Sequence, residues 1–400
     1  MTSRNGADES IERRLTALMC STAATRQSRA HEAGELLRSA QPQRMIDLLR
    51  RLHLTVLVGQ RLLTAGFDLD PALRQEIESS TALGRQRGGA HELATLAILD
   101  SLEAAGIRAL GLKGSVLARA LYDDVAWRSA GDIDILVAAG DLAGAIEVVE
   151  AMGWSWQRSA DRPGRLPILH EILTHSTMPR VELHWRVHWY EDRFAAEALE
   201  RAERPDVRAP MQMLPADGLA TLTLVYARDG LTGLRTPADI AAWWDTRCAG
   251  EDFEALIDAI GADYPALEAP LQVGTALLGP LVGLPTRLRA QPFRWKVAAA
   301  LATPFYEGGL AQVGANASLV DLLLAPPKGS RASLRRELQK VPKDLQRPLT
   351  RNDDFAVHRA RWEHGLRLLR RWGLAGAPAG VRAYRQGPDR GPIRSGGERP

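Results

Sequence analysis

Gly111-Leu-Lys-Gly-Ser115, Arg128-Ser-Ala-Gly-Asp-Ile-Asp-Ile-Leu-Val137 and Val181-Glu-Leu-His-Trp185 are the stretches whose reading decides the fold. The run 107–112 is short and apolar and predicts a strand. Residues 115–122 follow a helical pattern. Residues 132–137 alternate and predict a second strand. Residues 141–152 form an amphipathic pattern, with Asp141 as the expected cap and Gly153 as the stop. The run 181–189 alternates throughout. Val181, Leu183, Trp185, Val187 and Trp189 fall on one face, and Glu182, His184, Arg186 and His188 on the other. A period of two over that length predicts a half-buried antiparallel strand.

The chemistry follows from the charged positions. Asp132 and Asp134 are two apart on a predicted strand, so their side chains share a face. Neighbouring carboxylates repel and raise each other's pKa unless a cation lies between them. Mg²⁺ favours a few carboxylates together with water and phosphate oxygens. Glu182, on the polar face of another strand, is the candidate third carboxylate. Upstream, the Gly114-Ser115 turn follows a strand and opens a helix, where backbone N–H groups can meet phosphate oxygens. Lys113 and Arg128 are candidate partners for phosphate charge, and the Ser115 hydroxyl is a further donor. His184 shares the face of Glu182, either on the acceptor side or as a hydrogen-bond partner. His170 and His175 read as loop histidines. A phosphate loop and three carboxylates together describe two-metal nucleotidyl or phosphoryl transfer.

Around this core the pattern is helical. Residues 31–38 and 44–63 carry apolar residues at helical spacing, and Leu93, Leu96, Leu99 and Leu102 form a stripe that Gly106 ends. The expected division is a flexible N-terminus (1–30), a helical region (31–105), an α/β core (106–205), a second helical region (206–372) and a disordered Arg/Gly/Pro-rich tail (373–400). The fold class is therefore α+β, a small mixed sheet flanked by helices. The uncharged stretch 269–286 contains Pro270, Gly274, Gly279, Pro280 and Gly283, and reads as two short buried helices meeting near Pro280 rather than a membrane span.

Bulk properties exclude little. The 400 residues are 45% hydrophobic and 25% charged, as in an ordinary globular protein. The net charge is only +3, and residues 376–400 hold five Arg against Asp389 and Glu398, so nucleic acid is not the favoured partner. Cys20 and Cys248 make neither a disulfide framework nor a zinc site. With a polar, charged start to the sequence, they point to a cytoplasmic protein without membrane attachment.

The segment 106–190 resembles the nucleotidyltransferase superfamily with the DNA-polymerase-β-like fold. Leu112-Lys113-Gly114, Leu121-Tyr122, Arg128, the run from Asp132 to Val137 and Glu182-Leu183-His184-Trp185 are most similar to its uncharacterised nucleotidyltransferase group. The run 234–243 (LRTPADIAAW) is similar to a motif of the helical half. The resemblance implies a turn at Gly114-Ser115 and metal-bound carboxylates at Asp132, Asp134 and Glu182. It also implies two Mg²⁺ ions, with Mn²⁺ as the alternative, and an NTP, ATP by default, as donor to a small-molecule or peptide acceptor. Members of the group often occur in bacterial biosynthetic gene clusters. Two features depart from the pattern: sixteen residues separate Ser115 from Asp132, with the excess placed at 123–127, and the turn reads Lys-Gly-Ser instead of Gly-Gly-Ser. Two other functions are consistent with the same fold. One is a catalytically silent protein that binds nucleotide or a partner; the other is an RNA- or tRNA-modifying toxin.

Overall fold

Alternating residues on two central strands settle which face of the sheet is core. Ile133, Ile135 and Val137 share a face with Val181 and Leu183, and all five are buried in one cluster with Leu173. The polar residues between them, Asp134, Glu182 and His184, must then point the other way. The structure, a computed structural model, describes residues 10–129, 131–157, 169–191, 193–206, 209–287, 291–305, 320, 323 and 324. One compact unit comprises 1–157 and 169–320. A second, 158–168 and 321–400, lies almost wholly outside the described residues, as do the end of the helical region expected to 372 and the tail expected from 373.

The chain begins with six helices: α1 (Ile11–Cys20), α2 (Ala23–Ser28), α3 (Ala30–Ser39), α4 (Pro42–Leu52), α5 (Thr55–Thr64) and α6 (Pro71–Ala104). The expectation of a flexible stretch to residue 30 is corrected by α1. Ser10 caps it by accepting from the Arg13 N–H, and Leu15, Leu18 and Met19 are buried. α6 spans 34 residues, about 50 Å at 1.5 Å per residue. Asp70 caps its start, accepting from the Ala72 and Leu73 amides. Its end is a Schellman turn: Gly106 at φ +75° donates to the Glu103 carbonyl, and Ile107 to that of Leu102. The leucine stripe is only half real, since Leu93 is 72% exposed while Leu102 is fully buried. A step of three residues lags a 3.6-residue turn by about 60°, so three such steps carry the stripe to the opposite face.

The sheet has five strands in the order β1-β2-β5-β4-β3: β1 (Ala109–Gly111), β2 (Ile133–Val137), β3 (Ser155–Gln157), β4 (His170–Thr174) and β5 (Val181–His184). β2 and β5 are parallel; the other pairs are antiparallel. Between β1 and β2 lies α7 (Gly114–Tyr122), and after β2 comes α8 (Leu142–Ala151). Asp141 precedes α8 but its side chain makes no capping bond. Ala94, Ile98, Leu99 and Leu102 of α6 and Ala145, Ile146 and Val149 of α8 cover the apolar face. The extra residues 123–127 form a turn and a short 3-10 helix, Val125–Trp127, lying on α6. A Cβ at Gly88 would come within 3.0 Å of Val125, so the glycine makes the close approach.

β5 is shorter than its alternation predicts. After His184 the amides of Val187 and His188 donate to the Glu191 carboxylate, which also accepts from Ala195. A side chain, not a neighbouring strand, thus takes the hydrogen bonds that would have prolonged the ladder. It also turns the chain into α9 (Phe194–Arg201).

The helices α10 (Pro215–Arg228), α11 (Arg235–Arg247), α12 (Phe253–Asp263), α13 (Glu268–Val282) and α14 (Phe293–Ala300) follow. α10 is buried continuously from Asp217 to Ala227, as befits the core of a helical layer. The stretch read as two helices is the single helix α13. Pro280 falls in its last turn, where little ladder remains to break, and Gly283 ends it at φ +70°. The two helical regions meet directly: Thr22 donates its N–H to the Val282 carbonyl, and Ala23 to the Asp245 carboxylate. No helix among the described residues is long and apolar enough to cross a membrane.

Two outcomes follow from this packing. A Cβ at Gly218 would lie 2.0 Å from the Trp243 ring. Gly218→Ala should therefore destabilise by about 1–3 kcal/mol in urea unfolding, despite Ala's better helix propensity. Burial, opposed by the three N–H donors, pushes the Glu191 carboxyl up from 4.5 to about 7. A folded-state pKa above the unfolded one gives stability that is present below the unfolded value and lost as pH rises through the folded value. Relative to Glu191→Gln, the wild type should lose unfolding free energy between about pH 5 and pH 8; parallel pH profiles would refute this.

Candidate functional site

The parallel register of β2 and β5 sets Asp134 directly beside Glu182, and the antiparallel register of β5 and β4 sets His184 beside His170. These four residues share the polar face of the sheet. Asp132 lies one step before β2, its side chain 39% exposed. The three predicted carboxylates are thus brought to one region.

Each carboxylate has a cationic or imidazole partner. Arg180 places one guanidinium nitrogen 2.6 Å from Asp132 Oδ2 and 2.9 Å from Glu182 Oε1, bridging the two. Lys113 Nζ lies 3.2 Å from Asp134 Oδ1. The Leu112 amide donates to the Asp134 carbonyl at 2.9 Å, which fixes the lysine's place beside that strand. His184, fully buried, has Nε2 3.0 Å from Asp134 Oδ1 and 3.5 Å from Glu182 Oε2. His170 Nε2 is 3.6 Å from the same Glu182 oxygen. Nδ1 of both rings has no hydrogen-bond partner among the described residues, so Nε2 is the engaged nitrogen of each.

Charge states follow from these contacts. Burial alone would raise the Asp134 carboxyl, but Lys113 and the hydrogen bond from His184 hold it well below the usual range. Burial likewise opposes ionisation of Glu182, and the adjoining imidazoles outweigh it. Burial, reinforced by His184, pushes the His170 imidazole down to about 4, so it is neutral near pH 7. Arg228, at the end of α10, adds positive potential: it bonds Asp229 at 3.0 Å and lowers both His170 and His188.

The Gly-Ser turn is held from α6. His91 Nε2 is 3.0 Å from the Asp132 carbonyl, which can only accept, so Nε2 carries the proton. Burial depresses the His91 pKa and keeps the ring neutral, so Nδ1 must accept from the Ser115 hydroxyl 3.0 Å away. The Ser115 proton, read from the sequence as a donor to phosphate, goes to His91. Gly114 sits at φ +72°, and a Cβ there would come 2.8 Å from the His91 ring. The glycine serves the approach of the histidine as well as the turn.

Arg128 is the expectation that changes most. Its guanidinium is buried and donates from Nε to Asp239 Oδ2 at 2.8 Å; Tyr122 donates to the other oxygen at 2.9 Å. Arg128 therefore fastens the segment before β2 to α11. His184, weighed as an acceptor-side group, instead lies buried beneath the carboxylates. His170, read as a loop residue, begins β4 and joins the site, whereas His175 does lie in the β4–β5 turn, accepting from Thr177 and Met178. Arg180, His91, Arg228 and Asp239 were not singled out in the sequence. For Arg180 a signal existed, because the alternation of Glu182 and His184 extends one step back to it. Trp243 is core, packed on Gly218.

Removing one partner of a buried ion pair leaves an uncompensated charge, at a cost of about 3–5 kcal/mol. Asp239→Ala should lose about that much in denaturant unfolding. The double variant Arg128→Met/Asp239→Leu should recover a large share, and equal losses in both would refute the fastener.

None of the curated proteins compared with the chain matches it. The profile of a family described as uncharacterised nucleotidyltransferase matches residues 38–278, more than half of the sequence. The match takes in α6, the whole sheet and the helices α10 and α11, and with it the chain belongs to the uncharacterised nucleotidyltransferase family.

Proposed function

We propose that this chain transfers a nucleoside monophosphate from an NTP, ATP by default, to a hydroxyl or similar group of a small-molecule or peptide acceptor. The observation that carries the reading is the register that sets Asp134 beside Glu182, with Asp132 one step away and both Lys113 and Arg180 in contact with these groups.

The donor set suits Mg²⁺, with Mn²⁺ as the alternative: three carboxylates, all hard oxygen ligands, of which Asp134 and Glu182 are held below the usual carboxylate range. Asp132, Asp134 and Glu182 would hold two such ions, which when bound supply charge neutralisation at the triphosphate and a lowered pKa for the attacking hydroxyl. The residues of the chain do the rest. Lys113 and Arg180 stand on the carboxylates and are free to turn to phosphate oxygens when other cations take their place. Arg180 is suited to this because a planar guanidinium can meet two oxygens at once. His184 holds the Asp134 carboxylate from below, so that its remaining oxygen keeps a fixed direction. His91 locks the turn at Gly114-Ser115 to the start of β2 and so fixes the distance from helix α7 to the carboxylates. Catalysis in such a site is mostly positioning and electrostatic stabilisation.

The test is a thermal-shift panel of ATP, GTP, CTP and UTP with and without Mg²⁺, on the wild type and on Asp134→Asn. A ligand that binds only the folded state stabilises it by about 2.7 kcal/mol at a hundredfold excess over its Kd. One nucleotide should give a Mg²⁺-dependent shift that the variant loses. Turnover, once an acceptor is found, should fall about a hundredfold or more in Asp134→Asn. A Mg²⁺-independent shift that survives in the variant would identify a silent nucleotide-binding protein instead.

A further inference from the structure

His170, Glu182 and His184 each offer one ligand atom, and these atoms lie within 4.8 Å of one another. The convergence is specific to one oxygen: Nε2 of His170 is 3.6 Å and Nε2 of His184 3.5 Å from Glu182 Oε2. Both separations exceed a hydrogen bond of normal length. They match another geometry. Bonds of about 2.1 Å from nitrogen and oxygen to one ion, at tetrahedral angles, place the donor atoms about 3.4 Å apart. The two rings are tilted by 54° with centroids 4.7 Å apart, so they converge instead of stacking flat.

We propose that His170, Glu182 and His184 form a site for a divalent transition-metal ion of borderline softness, such as Zn²⁺, Co²⁺ or Cu²⁺, next to the Mg²⁺ position at the aspartates and sharing Glu182 with it. The chemistry of the ligands decides the class of ion. Two imidazoles and one carboxylate suit Zn, Cu, Co and Ni, whereas Mg²⁺ prefers oxygen ligands and gives up its water reluctantly. The two oxygens of Glu182 face different neighbours. Oε1 meets Arg180, which also holds Asp132, while Oε2 meets the imidazoles. One carboxylate can therefore serve the aspartate side and the histidine side together. Asp134 Oδ1, 3.0 Å from His184 Nε2, lies next to the same position; for Nε2 to bind the ion through its lone pair, the neutral ring would carry its proton on Nδ1. His170 is the ligand that no other part of the site requires, since among the described residues its side chain's only close polar contact is to Glu182 Oε2.

This inference does not depend on nucleotidyl transfer, so it is tested without nucleotide. Untagged full-length protein is titrated with Co²⁺ and followed by visible ligand-field absorption. One Co²⁺ should bind per chain, Zn²⁺ should displace it, and excess Mg²⁺ should not. His170→Gln should weaken binding by roughly tenfold or more, the least expected for loss of a direct ligand when loss of an outer partner already costs that much. Asp132→Asn should leave the bands in place. Should His170→Gln not fold, the wild type loaded with Cu²⁺ answers the same question: its paramagnetic resonance spectrum should show coupling to two imidazole nitrogens. Absence of Co²⁺ bands, bands unchanged in His170→Gln, displacement by Mg²⁺, or no nitrogen coupling would each overturn the proposal. A nucleotide shift observed alongside any of these would leave the transfer reading intact.

Discussion

The parallel pairing of β2 with β5 is the constraint on which the site depends. It places two acidic residues at the same level of adjacent strands, about 4.8 Å apart along the hydrogen-bonding direction. Two unit charges at that distance repel by on the order of 3 kcal/mol in an environment of intermediate dielectric. A sheet selected only for stability would not carry that pair. The chain answers the repulsion locally: Lys113 arrives from the end of β1, Arg180 from the residue before β5, and His184 from beneath. Every one of these groups is delivered by backbone pairing, so the charge balance and the strand register are one device.

The helices explain why so small a sheet can hold a charged face. Three-, four- and five-residue strands do not make a stable sheet alone. The apolar face is closed by α6 and α8, which contribute seven buried side chains to the cluster against six from the strands. α6 has a second duty. Ile98 and Leu102 build the core below the sheet, and about two turns before Ile98 on the same helix His91 reaches the turn above α7 and the start of β2. The same element thus covers the sheet and sets where the Gly114-Ser115 turn stands relative to the carboxylates.

Much of this was legible in the sequence, and the omissions have physical causes. The strands at 109–111, 133–137 and 181–184 and the α+β class follow from alternation and glycine punctuation, because those signals are local. The three carboxylates were legible for the same reason: two-residue spacing fixes a shared face. The end of β5 was not, because the residue that stops it, Glu191, acts through a side chain on amides three and four positions back, which no periodicity shows. His91 and Asp239 were invisible for a deeper reason. Each acts across a long stretch of sequence, from helices whose pattern fits any buried helix. The leucine stripe misled because spacing by threes mimics a helical face for one or two turns and then leaves it.

Arg128 and Asp239 tie the approach to the sheet to a helix that lies far beyond it in sequence. An Arg-Ser-Ala-Gly segment ahead of an Asp-x-Asp pair invites a phosphate-binding reading, since arginine is the usual partner of phosphate. The buried pairing to α11 gives that arginine a different job: its charge is neutralised by Asp239, and Tyr122 completes the carboxylate's bonding. The run Leu234-Arg-Thr-Pro-Ala-Asp-Ile is then not an independent motif of a separate helical domain. It is the far half of an ion pair whose near half lies four residues before Asp132. A buried ion pair makes the approach to the strand that carries Asp134 rigid. The chain obtains that rigidity by tying the approach to the helical layer, and both halves of the tie lie within the matched residues 38–278.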